Sequence, residues 1–127
     1  MIKKQITIGD QVVSFGTSAR TPRLYEQLFG KDVMDEMTSF YSNYQKALKD
    51  NDAQNISDLA VDTQIKLMNK RVFENLAYTM AMQADPEIPG IDDWLDGFDQ
   101  EDFTKALPEI MGLWGLGQKG RSVPKKK

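Results

Sequence analysis

Nine carboxylates crowd into residues 85–109 against one lysine, Lys105. Carboxylates at close spacing do two kinds of chemistry: they ligate hard cations, or they work in pairs as general acid and base. A calcium loop would set Gly97 at its sixth position. That places Asp92 at the first and Asp96 at the fifth, but Trp94 at the third and Phe103 at the twelfth, where a bidentate Glu is required. The pattern fails at two ligand positions. Paired carboxylates for glycoside hydrolysis fare no better, since nothing singles out one pair among so many. Gly115-Leu116-Gly117-Gln118-Lys119-Gly120 has the glycines of a nucleotide loop. It lacks the GxxxxGK[ST] spacing and the preceding strand, and reads as a helix stop with a linker.

The chain has 127 residues, no cysteine and no histidine. Disulfides, thiolate nucleophiles, Cys/His zinc sites and Ser-His-Asp triads are thereby excluded. So is an imidazole base working near neutral pH. Neither an enzyme nor a cofactor is expected. The net charge of −3 is unevenly spread. Residues 117–127 carry Lys119, Arg121, Lys125, Lys126 and Lys127 without an acid, leaving a body of net charge −8 under a +5 tail. An acidic body repels nucleic acid. No apolar run approaches the roughly 20 residues that span a bilayer, so no membrane partner is expected. Met1-Ile2-Lys3-Lys4-Gln5 has no apolar run behind its lysines and is not a signal peptide, which fits an intracellular protein.

These side chains need elements to hold them. Residues 2–8 and 11–15 alternate as two strands around Gly9-Asp10, a hairpin with Ile2, Ile6 and Ile8 on one face. Thr21-Pro22 reads as an N-cap and first helical residue, with Gly30 as the stop. Asp32 caps a second helix to about Asp50, its stripe running through Val33, Met34, Met37, Phe40, Tyr41, Tyr44 and Leu48. The longest helix is expected from Ser57 or Asp58 to Ala84, apolar on more than one side after Val72 and so the most buried. Asp85-Pro86 ends it. Residues 91–98 fit one or two helical turns. Asp99 caps a last helix over 100–116, bent at Pro108. The expected fold is mainly α: a short N-terminal hairpin, a bundle of about four to five helices over 1–116, and a disordered basic tail over 117–127.

Trp94, Leu95 and Phe98, with Leu113 and Trp114, form an apolar set bracketed by acids. Core packing and docking of a partner helix both fit it, because aromatics dominate interiors and interfaces alike. These five are the candidate partner-binding residues.

Thr17 to Asp32 (TSARTPRLYEQLFGKD), Phe73 to Pro86 (FENLAYTMAMQADP), and Asp92 to Phe98 (DDWLDGF) leading to Leu107-Pro108-Glu109-Ile110 and Leu113-Trp114 follow one another in the chain. Together they resemble the tail assembly chaperones of long-tailed phages and of prophages in Gram-positive bacteria. The resemblance implies a small, mainly helical, non-catalytic protein of the host cytoplasm. Such chaperones bind the tape measure protein, keep its long apolar helices soluble, recruit tail tube subunits, and leave before the virion is finished. In many phages a ribosomal frameshift near the end of the reading frame adds a second domain that engages the tube protein. This chain, ending Lys125-Lys126-Lys127, would be the short product. Self-association stays open. The alternative is a structural tail completion or connector protein of the virion.

Overall fold

The structure is a computed structural model and describes residues 1–54, 58–68 and 71–115. β1 (Ile2–Ile8) and β2 (Gln11–Thr17) pair antiparallel, Ile8 opposite Gln11 and Ile6 opposite Val13. Gly9 has φ 65° while Asp10 keeps a negative φ, the signature of a type II′ turn with glycine first. A Cβ on Gly9 would also lie 2.6 Å from Asp102 Oδ2. Ile6, Ile8 and Phe15 are buried on the inner face. Ile2 shares that face by register but is 52% exposed.

α1 (Thr21–Phe29) starts one residue earlier than expected, with Arg20 at the cap position and no side-chain cap. Thr21 is instead fully buried. Its hydroxyl accepts from Ser18 N–H (3.0 Å) and donates to Gln83 Oε1 (2.7 Å). Gln83 Nε2 in turn donates to Ser18 Oγ (2.6 Å). A buried amide left unpaired would be costly, and this clamp satisfies both its ends while fixing the β2–α1 loop onto a helix 62 residues away. Gly30 closes α1 with φ 72°, as its position after Phe29 leads one to expect.

α2 (Val33–Asp50) has the expected cap: Asp32 Oδ1 accepts from Met34 N–H (2.8 Å) and Asp35 N–H (3.3 Å). Its inner stripe stacks Phe40 on Tyr44 and sets Phe40 edge-on to Phe73, centroids 4.6 Å apart. Between α1 and α2 the fully buried Tyr25 donates its hydroxyl to Glu36, which Lys31 approaches at 3.7 Å.

The single long helix expected up to Ala84 is instead two elements, α3 (Val61–Met68) and α4 (Arg71–Ala84). Both pack on α6 and α2, but only α4 also packs on β2, α1 and α5. At 18 residues, α2 is therefore the longest helix among the described residues. Ser57, one of the two expected starting points, lies outside them. α4 is the most buried helix, as its apolar faces predict, with Phe73, Leu76, Ala77 and Met80 fully enclosed. α5 (Ile91–Asp96) and α6 (Gln100–Trp114) complete the fold. Asp99 caps α6 by accepting from Glu101 N–H (3.0 Å) and Asp102 N–H (3.2 Å). α6 runs unbroken through Pro108 and ends at Trp114, closed by Gly115 with φ 119°. Lys4 Nζ meets Glu109 Oε2 at 3.4 Å and ties β1 to α6. The division of one expected helix raises the described count to six, above the four to five anticipated. The tail over 117–127 lies outside the described residues.

Two outcomes follow from these buried polar groups. Gln83→Leu leaves the Thr21 and Ser18 hydroxyls without their partner and should cost about 1–3 kcal/mol, read as a lower urea midpoint. Burial, then the hydrogen bond to Glu36, push the Tyr25 phenol above its ordinary range. A raised folded-state pKa stabilises below the unfolded value, so this contribution should hold up to about pH 10 and fall away as pH rises further. Tyr25→Phe should flatten that alkaline decline in urea midpoints measured across the range.

Candidate functional site: a groove beside the hairpin edge

Among the described residues β2 has one strand neighbour, β1. Beyond its outer edge, the end of α4, the turn over 85–90 and α5 enclose a groove of ≈ 610 Å³. Each wall is held by a specific bond. Tyr78 OH donates to Pro89 O (2.6 Å) and anchors the turn to α4. Asp85 Oδ1 accepts from Glu87 N–H (3.0 Å) and shapes the turn's start. Gln11 Nε2 donates to Gly97 O (2.6 Å) and bridges the hairpin to the end of α5.

The floor is apolar: Ala81, Ile88, Trp94 and Phe98 line it with Val13 of β2. Trp94 is 6% exposed and meets four rings, Phe15, Tyr78, Phe98 and Phe103, at centroid distances of 5.0 to 6.4 Å and near-perpendicular angles. Such edge-to-face packing favours one rotamer and makes the floor rigid. The rim carries Asp85 and Asp93 against Lys3. None of the three forms an ion pair among the described residues. The groove thus offers apolar contact and a net negative rim.

The five residues singled out by sequence do not form one surface. Trp94 and Phe98 line the groove, Trp94 almost wholly enclosed and Phe98 half-buried. Leu95 is half-buried against the core. Leu113 is buried and Trp114 half-buried at the far end of α6. Eleven residues separate Trp114 from Phe103, the ring that touches Trp94, which is about 16 Å along a helix axis. Ring packing also explains why the calcium spacing is illusory: Trp94 and Phe103, at two of its ligand positions, meet edge to face in the interior. Among the described residues no group of three His, Cys, Asp or Glu side chains is placed to hold a metal ion.

Comparison with family models, with curated proteins and with solved structures finds no match. The groove must therefore be read from its own chemistry. Sequence reasoning passed over Gln11, Val12, Ser14 and Ile88. The signal was present in Val12, a valine beside the turn that pairs with Thr7 on the face away from Ile6 and Ile8; it is 64% exposed. A second, more open depression of ≈ 480 Å³ lies between Ile65 of α3 and the first turns of α6, where Lys105 pairs with Glu101 at 3.2 Å.

Trp94→Ala should cost about 3–5 kcal/mol, because it empties the centre of the ring cluster. Phe98→Ala and Trp114→Ala, at half-buried positions, should cost distinctly less in the same denaturant titration. A Trp94→Ala protein of unchanged stability would make that side chain a surface group.

Proposed function

We propose that the protein is a tail assembly chaperone of a long-tailed phage or prophage, acting in the cytoplasm of a bacterial host. It binds the tape measure protein, keeps its apolar helices soluble and helps bring tail tube subunits to it, and it is absent from the finished virion. The observation that carries this reading is the convergence of the three resembling segments. Ser18 and Thr21 of the first are hydrogen-bonded to Gln83 of the second, and Tyr78 of the second packs on Trp94 of the third at 5.5 Å. The residues behind the resemblance thus hold one another in place, and those of the second and third segments line the groove.

Other features support the same role. A mainly helical fold with a net negative body and a rigid apolar groove suits a protein that shields apolar segments of another chain. No helix among the described residues is long and apolar enough to cross a membrane. Co-expression should keep tape measure protein in the soluble fraction and co-purify with it; neither rescue nor complex would sink the proposal. Mass spectrometry of purified particles should find the chain missing, whereas a tail completion or connector protein would be present.

A further inference from the structure

We propose that the outer edge of β2 over Gln11–Ser14 receives an extended, cationic segment of another protein, which lies in the groove as a third strand. This mode of binding does not depend on who the partner is. Residue pairs of an antiparallel hairpin alternate, and a two-residue turn makes the closing pair, Ile8 with Gln11, a hydrogen-bonded one. Val12 and Ser14 then aim their N–H and C=O groups away from β1. Neither makes a further backbone hydrogen bond among the described residues.

Sheet edges are commonly guarded by lysine. β1 carries Lys3 and Lys4, but β2 from Gln11 to Ser14 carries no charge. Val12 and Ser14 lie beside the groove. Farther along the strand its face is covered at Gly16, where a Cβ would lie 2.8 Å from Met1 Sδ and 3.5 Å from Ala84 N. A strand in this position would alternate its side chains between floor and rim. The floor, with Ile88, Trp94 and Phe98, takes apolar groups. The rim takes cations: Asp85 and Asp93 have no ion-pair partner among the described residues, and Glu87, Asp92 and Asp96 stand exposed on the same turn and helix. A second copy of the chain is the poorer occupant, because it would bring another body of charge −8 against these acids.

The test uses the full-length, isotope-labelled protein and a short capped peptide alternating lysine and valine. At saturation, amide hydrogen exchange at Val12 and Ser14 should slow about tenfold or more, with Gln5 and Thr7 on β1 unchanged. The same peptide N-methylated at alternate backbone nitrogens should bind about tenfold more weakly, and so should one with glutamate for lysine. Asp93→Lys should weaken binding about fivefold and Lys3→Glu should tighten it, opposite shifts that a general disturbance of the fold would not produce. Equal binding of the N-methylated peptide, or no binding of the lysine–valine peptide, would overturn the proposal. So would protection of Val12 and Ser14 that appears without peptide and grows with protein concentration, since a second copy would then hold the edge. Failure to co-purify tape measure protein would leave these readouts untouched.

Discussion

Everything in this fold is arranged around the fact that a two-stranded ribbon cannot stand alone in water. β1 and β2 offer one apolar face, with Ile6, Ile8 and Phe15, and that face has to be covered. α4 packs along β2 and α6 along β1, and the rest of the chain then encloses α4. α1 lies on one flank, α6 closes over β1 and α4, and α2 adds Phe40 against Phe73. Such a helix must be apolar nearly all round, which is why Phe73, Leu76, Ala77, Tyr78, Met80 and Ala81 crowd into nine positions.

The cover is not purely apolar. Thr21, Gln83, Ser18 and Thr17 form a hydrogen-bonded group where hairpin, loop, α1 and α4 meet. Apolar packing alone tolerates sliding of one element past another; a buried amide that needs two particular hydroxyls does not. The aromatic cluster around Trp94 works in the same direction against Tyr78 of α4, since each ring there restricts its neighbours. The groove is lined by Ala81 and Ala84 of the same helix and by Trp94 itself.

Local chemistry was legible in the sequence, and pairing at a distance was not. Asp32 and Asp99 announce helix starts because a carboxylate before an amphipathic stripe satisfies N–H groups two and three residues on. The hairpin shows itself in β-branched alternation around Gly9-Asp10. Thr21 looks equally like a cap, yet its hydroxyl is taken by Gln83, and nothing local reveals a partner 62 residues away. The same holds for the helix expected up to Ala84: its periodicity continues, but only its second part packs on the hairpin. Of the candidate site, Trp94 and Phe98 could be found from composition. Val12 and Ser14 required the register, because their importance lies in where the backbone points.

The contacts of Gly9 with Asp102 and of Lys4 with Glu109 join the first ten residues to the last helix. A ribosome makes the hairpin segment before α6, at about 5–20 residues per second, so the strand residues are synthesised several seconds before the helix that covers β1. During that interval their apolar side chains lack the cover that α6 provides. Completion of the fold is thus timed by the arrival of α6. Any shortening of the chain before Glu109 would leave the earliest structure to form without its final cover.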